Sequence, residues 1–127
     1  MKKPLLIVLD DEPDITQMIA DFAELLEFEV KTSNSSEHFI HLLEAEPANI
    51  IISDIVMPDL DGMEIIHELS KRKISSPLVF MSGYDKSYLK TAGVLAKGNR
   101  LNLMGTLCKP FAMGELEELL KKVVDSA

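Results

Sequence analysis

The amino-acid sequence predicts an α/β fold: a doubly wound, five-stranded parallel sheet with five helices. Two observations carry that prediction. Short apolar runs without polar alternation recur along the chain, at residues 5–9, 50–52 and 78–81. Such runs read as strands buried on both faces, the habit of parallel sheets. Between them lie segments whose apolar residues recur at helical spacing. Strand and helix alternate five times, and each crossover has to be right-handed and cover the sheet. No internal repeat, low-complexity tract or linker interrupts the pattern, and 127 residues suit one domain with one core.

Residues 5–9 form the first strand, which ends on Asp10-Asp11-Glu12-Pro13. Pro13 fits the first turn of a helix, where its missing N–H costs nothing, and the acidic residues suit the positive end of the helix dipole. Ile15, Met18, Ile19, Phe22 and Leu26 then mark a first helix over residues 13–26. Residues 29–33 alternate weakly and read as a short second strand. Ser35 or Ser36 caps a second helix with Phe39, Leu42 and Leu43 on its apolar face, and Pro47 ends it. The third strand begins at Ile50 and must leave the sheet near Val56, because Pro58 cannot continue a central strand. Asp54 therefore sits at the carboxyl end of a buried strand. Leu60-Asp61-Gly62 opens the third helix, with Ile65, Ile66 and Leu69 inward and Lys71-Arg72-Lys73 at its negative end. Residues 77–82 form the fourth strand, and Gly83 allows the turn that follows. A fourth, long helical segment follows with Tyr88, Ala92, Leu95 and Ala96 on one side, and Gly93 and Gly98 weaken it. Residues 101–107 form the fifth strand, which ends on Cys108-Lys109-Pro110-Phe111. Leu116, Leu119, Leu120, Val123 and Val124 give the last helix its apolar stripe.

Hydrophobic residues make up 46% of the chain and charged residues 27%, the balance of a folded globular protein. A net charge of −8 argues against direct nucleic-acid binding and suits a site that holds a cation, although surface Asp and Glu account for most of the excess. Cys108 is the single cysteine, which excludes an internal disulfide and a cysteine-based zinc site. Lys2-Lys3 followed by residues 5–9 has the start of a signal peptide. The apolar run is too short, however, acidic residues cut it off, and no small-residue cleavage site follows. No stretch approaches the roughly 20 apolar residues of a membrane-spanning helix, so no membrane association is expected. The expected location is the cytoplasm.

In a parallel sheet the ends of strands 1, 3, 4 and 5 lie along one edge, where open α/β sheets place their chemistry. That edge collects Asp10, Asp11, Asp54, Ser82 and Lys109. Singly, Asp10 and Asp11 read as helix-start residues, Asp54 and Ser82 as turn residues, and Lys109 as a surface charge. Jointly they make carboxylates, a hydroxyl and an ammonium that can converge. Two carboxylates 4 Å apart repel by about 1 kcal/mol in water and about 4 kcal/mol at an effective dielectric of 20, so the cluster needs a cation, a proton or Lys109. All-oxygen ligands favour Mg²⁺, Mn²⁺ or Ca²⁺, and few protein ligands beside a phosphoryl group is the Mg²⁺ habit. Lys109 and Ser82 are suitable donors to phosphoryl oxygens. His38, His41 and His67 read as surface residues.

With Asp10-Asp11 after strand 1, Asp54 followed by Met57-Pro58 and Asp61-Gly62, Ser82-Gly83 after strand 4 and Lys109-Pro110-Phe111 after strand 5, the chain resembles the receiver domain of bacterial two-component response regulators. The resemblance covers essentially all of it. It implies a flavodoxin-like strand order, 2-1-3-4-5, and a single receiver with no output domain in residues 1–127. It implies that Asp54 is the phosphoacceptor for a sensor histidine kinase or phosphotransfer protein. It implies that Asp10, Asp11, Asp54 and the backbone carbonyl of Val56 serve Mg²⁺, with Mn²⁺ as a substitute. Ser82 and Lys109 would contact the phosphoryl group beside Gly83, and the peptide bond before Pro110 is often cis in the family. The implied outcome is a signalling switch rather than an enzyme, acting through the face made by helix 4, strand 5 and helix 5 on an output domain or downstream protein.

Two departures stand out. Thr106 occupies the switch position where many receivers carry Tyr or Phe, leaving no ring to swing inward; Tyr84 or Tyr88 would have to compensate. The interval from Ser82 to Lys109 is also long, by roughly one helical turn and a little more, which predicts an altered partner or homodimer mode. The stretch from Ser82-Gly83-Tyr84-Asp85 through Leu101-Asn102 to Gly105-Thr106-Leu107 also resembles receivers joined to cyclic-di-GMP phosphodiesterase domains. The competing readings are a receiver-like interaction module that works without phosphorylation, and a phosphohydrolase of the haloacid dehalogenase type. The second wants an Asp two residues after the nucleophile, where Val56 stands. Neither a G-x-x-x-x-G-K-[ST] loop nor a G-x-G-x-x-G turn is present.

Overall fold

The computed structural model describes residues 2–83 and 86–125. Five strands alternate with five helices: β1 (Leu5–Leu9), α1 (Pro13–Leu25), β2 (Glu29–Ser33), α2 (Ser36–Ala45), β3 (Ile50–Asp54), α3 (Gly62–Lys71), β4 (Leu78–Ser82), α4 (Lys86–Gly98), β5 (Leu103–Cys108) and α5 (Met113–Asp125). The strands pair in the order β2-β1-β3-β4-β5, all parallel. Among the described residues no helix is long and apolar enough to cross a membrane.

Side chains on a strand alternate between the two faces of the sheet, and each face has its own core. Leu5, Ile7, Leu9, Ile51 and Phe80 meet α2, α3 and α4 through Phe39, Ile65, Leu69, Leu89 and Ala92. Leu6, Val8, Ile52, Val79 and Met81 meet α1 and α5 through Ile19, Ala23, Leu116 and Leu120. Both faces are thus covered, and the three central strands are buried throughout. That is why their sequences are continuous apolar runs.

The helices differ from expectation in which residues they bury. In α4 the inward face is Leu89, Ala92, Gly93 and Ala96, while Tyr88 and Leu95 are each 37% exposed. The small residues face the sheet because α4 lies close to β5: a Cβ on Gly93 would come within 3.1 Å of Leu103 Cδ2. Gly93 is a packing requirement here. On the other face of β5, a Cβ on Gly105 would meet Leu119 Cδ2 at 2.9 Å, so α5 also approaches through a glycine. Met18 and Val124 are exposed rather than inward, and α1 buries Thr16 instead, whose hydroxyl donates to the Pro13 carbonyl at 3.0 Å. β5 begins at Leu103, with Leu101 buried in the connection that precedes it.

Helix starts follow the expected chemistry. Ser35 caps α2 by accepting from the His38 amide at 3.3 Å, and Asp61 caps α3 by accepting from the Glu64 amide at 3.0 Å. Three helix ends do not use glycine. Glu27, Lys73 and Arg100 take left-handed φ values of 67°, 54° and 64°. Each is followed by an amide that reaches back to the helix: Phe28 to Ala23, Ile74 to Leu69 and Leu101 to Ala96.

Candidate functional site

The strand register decides which residues meet. Asp10 follows β1, Asp54 is the last residue of β3, Ser82 ends β4 and Lys109 follows β5. Sheet-like hydrogen bonding runs one step past two strand ends: the Asp10 amide donates to the Ser33 carbonyl at 3.1 Å, and the Lys109 amide to the Ser82 carbonyl at 2.8 Å. These rungs hold the two backbones in line with the sheet. β1 and β5 are separated by β3 and β4, so the side chains meet because the long Lys109 side chain reaches back across those two strand ends to Asp54 and Asp10.

Lys109 is the centre of the convergence. Its Nζ donates to Asp54 Oδ2 at 2.8 Å and to Asp10 Oδ2, and lies 3.8 Å from Glu12 Oε1. Asp10 is fully buried, and its Oδ1 accepts the Glu12 amide at 2.9 Å. Asp54 is 4% exposed, and its Oδ1 accepts the Val56 amide at 2.7 Å. Burial pushes the Asp10 carboxyl above its ordinary value, against the opposing pull of the hydrogen bonds from Lys109 and the Glu12 amide. Burial also pulls the Lys109 ammonium down, but its hydrogen bonds to Asp10 and Asp54, together with their charges, outweigh this and hold it above the ordinary lysine value. The Lys109–Pro110 bond is cis.

Above this buried group lies an open cleft of about 410 Å³. Asp11, Glu12, Asp54 and Lys109 supply its charged wall, and Val56, Met57, Pro58 and Gly83 supply the rest. Asp11 and Glu12 are exposed, and with Asp10 they can bring one carboxylate oxygen each to within 4.8 Å of one another. Asp10, Glu12 and Asp54 therefore share one ammonium, and Asp11 adds a fourth negative charge to the same cleft. The donor set is all oxygen, acidic and open to solvent, which fits a hard divalent cation such as Mg²⁺.

The structure thus brings Asp10, Asp11, Asp54, Val56, Gly83 and Lys109 together. Ser82 is fully buried, between the cleft residue Gly83 and the core, with its carbonyl on the Lys109 amide. Thr106 stands apart. It is exposed and lines a second cleft of about 600 Å³ with Lys86, Leu89 and Lys90. Tyr84 lies outside the described residues. The Tyr88 hydroxyl sits 3.1 Å from where a Cβ on Gly62 would be, at the start of α3. Glu12 is a cleft carboxylate that the sequence reading treated only as a helix-start residue; its signal is that it extends the acidic run Asp10-Asp11 by one.

Comparison with known proteins is decisive. The model of the response regulator receiver domain matches residues 6–121. The chain belongs to the response regulator receiver family. Its role is that of a phosphoacceptor receiver, a signalling switch rather than a classical enzyme. The alkaline phosphatase synthesis transcriptional regulatory protein PhoP of Bacillus subtilis is 27% identical over 124 residues, covering 98% of this chain and 49% of PhoP. The regulatory protein AtoC of Escherichia coli is 24% identical over 119 residues, covering 94% of this chain and 25% of AtoC. This receiver therefore spans from a quarter to about half the length of those two relatives. Among solved structures, a response regulator from Colwellia psychrerythraea superposes with a TM-score of 0.84 at 28% identity, covering 99% of this chain and 100% of the other.

Proposed function

We propose that Asp54 is the residue that takes the phosphoryl group. The observation that carries this is the half-buried ammonium of Lys109, which joins Asp54 Oδ2 to Asp10 at the floor of an open acidic cleft. An Asp carboxylate is a competent nucleophile for phosphoryl groups, and the protein's contribution is positioning and charge neutralisation. A carboxylate oxygen of Asp54 attacks the phosphorus of a phosphohistidine on a sensor kinase or phosphotransfer protein. The P–N bond breaks, the imidazole leaves with the electron pair, and an acyl phosphate remains on Asp54. The Val56 amide holds the other carboxylate oxygen in place. Lys109 exchanges its bond to Asp54 for one to a phosphoryl oxygen while keeping Asp10.

Mg²⁺ or Mn²⁺, when bound, neutralises charge on the phosphoryl oxygens. Asp11, Asp54 and the Val56 carbonyl would hold it, with Glu12 beside them. Asp10, whose two oxygens are engaged by Lys109 and the Glu12 amide, would act through water.

Ser82 reports the phosphoryl group by donating its hydroxyl, and the β4–α4 loop carries that movement to α4. The signal then reaches a face that lacks an aromatic at Thr106, and passes to an output domain or downstream protein. The segment between Ser82 and Thr106 points to a cyclic-di-GMP phosphodiesterase as that output, or to homodimerisation through the same face.

Acetyl phosphate with Mg²⁺ should add one phosphoryl group by intact-mass measurement, and Asp54→Asn should take up none. Equal uptake by Asp54→Asn overturns the assignment. Ser82→Ala should still accept phosphate but lose the α4 amide shifts that accompany activation in NMR spectra; wild-type shifts in that variant break the proposed coupling.

A further inference from the structure

The site residues come from the ends of β1, β3, β4 and β5. The connection between β2 and α2 supplies none, yet it is bonded to the loops on both sides of the cleft. On one side, Asn34 Nδ2 donates to the Asp10 carbonyl at 2.9 Å and to Thr16 Oγ1 at 3.3 Å. This grips the backbone from which Asp11 and Glu12 project. On the other side, Asp59 accepts two hydrogen bonds from Ser36: Oδ2 from the amide at 3.2 Å and Oδ1 from the hydroxyl at 3.0 Å. Ser36 is 2% exposed and its amide is the first of α2, a position left without an intrahelical partner and at the positive end of the helix.

Asp59 lies at the tip of the β3–α3 loop, which lines the cleft through Val56, Met57 and Pro58. Within itself the loop is closed by the Met57 amide on the Leu60 carbonyl at 3.2 Å and by an antiparallel bridge between Val56 and Asp61. Those contacts make the loop one rigid piece. They leave open where that piece stands relative to the β1–α1 loop. Asp59 sets this by pinning the tip to α2, and Asn34, two residues before Ser36, pins the opposite loop to the same turn.

We infer that the β2–α2 turn is a brace that sets the distance between the two cation-holding loops, with Asn34 and Asp59 as its positioning residues. Neither touches the cleft. The inference rests on the reading of the cleft as a Mg²⁺ site, and it places part of the metal affinity in a turn that carries no ligand.

Isothermal titration of the unphosphorylated protein with Mg²⁺ tests it. Asn34→Ala and Asp59→Ala should each raise the Mg²⁺ Kd about tenfold, the low end of what loss of an outer-sphere partner costs a metal site. Asp59→Asn, which keeps an acceptor oxygen for Ser36, should recover most of the affinity. Amide hydrogen exchange at Val56 and Met57 should quicken in Asp59→Ala without any metal. The control is Asn49→Ala, which removes a hydrogen bond to the Leu5 amide at the opposite end of the sheet; it should lower Tm and leave the Kd unchanged. Unchanged Kd in both Asn34→Ala and Asp59→Ala overturns the brace, and so does an equal loss in Asn49→Ala. Wild-type protein that binds no Mg²⁺ overturns the reading of the cleft itself.

Discussion

Towards the amino ends of the strands, charged groups are balanced within small clusters of both signs, whereas at the carboxyl ends four carboxylates gather around one ammonium. On the amino side, Asn49 Oδ1 accepts the Leu5 amide at 2.8 Å, the Ser76 hydroxyl donates to the Ala48 carbonyl at 2.7 Å, and Arg72 bridges Glu44 and Glu68. Glu46 accepts from Lys31 at 2.6 Å and from Lys2 at 3.4 Å. On the carboxyl side, Asp10 and Asp54 are buried against Lys109, and Asp11 and Glu12 add further negative charge at the rim. The same sheet supports both ends, so the difference lies in what the loops carry. One end is built to be satisfied by the chain alone. The other is left short of positive charge, which an incoming cation can supply.

That contrast can be broken by experiment. The largest effect should come from Lys109→Met, which leaves two buried carboxylates without their partner. Its metal-free stability at neutral pH should fall by about 3 kcal/mol in a urea titration, and the loss should shrink with added Mg²⁺ or in acid, where a carboxyl can protonate. If Lys109→Met unfolds at the wild-type urea midpoint, the ammonium is not what holds the cluster together. Lys31→Met should move the midpoint much less, because its pair with Glu46 is still partly open to solvent and Glu46 keeps Lys2 as a second partner.

The next effect is in the pH dependence. Lys109 is held above its ordinary value of 10.5, so the folded state keeps this proton more tightly than the unfolded state. Its stabilisation is complete below that ordinary value and disappears as pH rises through the higher folded value. Asp10 is raised as well, so it adds stability below its ordinary value of 3.8 that is lost as pH rises through its folded value. Metal-free wild-type Tm should therefore decline in alkali more steeply than that of Lys109→Met; parallel declines count against the Lys109 assignment.

Asn49→Ala should cost about 1–2 kcal/mol, since it orphans the Leu5 amide at a buried strand start. The smallest effect should be Asp11→Asn. It removes one exposed negative charge from the crowded rim, so Tm should rise slightly while Mg²⁺ affinity falls. A fall in both would mean that Asp11 has a structural partner as well.

The strands were legible because burial on both faces leaves only apolar residues in β1, over residues 50–52 of β3 and over residues 78–81 of β4. Asp54 and Lys109 were legible for a related reason: each marks the place where such a run stops. The inner face of α4 was legible only in Ala92 and Ala96; Leu89 and Gly93 were missed because the helix turns small residues toward a close strand, while Tyr88 and Leu95 are partly exposed. The ends of α1, α3 and α4 gave no glycine signal, since Glu27, Lys73 and Arg100 take the left-handed conformation instead. The brace was invisible for a different reason. Asn34 and Asp59 are ordinary loop residues whose partners lie 24 and 23 positions away, and only the folded sheet brings them together.

The two glycines at the contacts between β5 and its flanking helices carry an evolutionary consequence. Gly93 and Gly105 each stand where a methyl group would collide with a leucine, while Gly98 and Gly114 have nothing within 4 Å of the same added atom. A saturation library scored for folding should therefore tolerate alanine at 98 and 114, where it even favours the helix, and be more selective at 93 and 105, where a leucine side chain has to give way. Selection would read four identical letters as two kinds of site: two interchangeable, and two constrained by the distance at which α4 and α5 flank one strand.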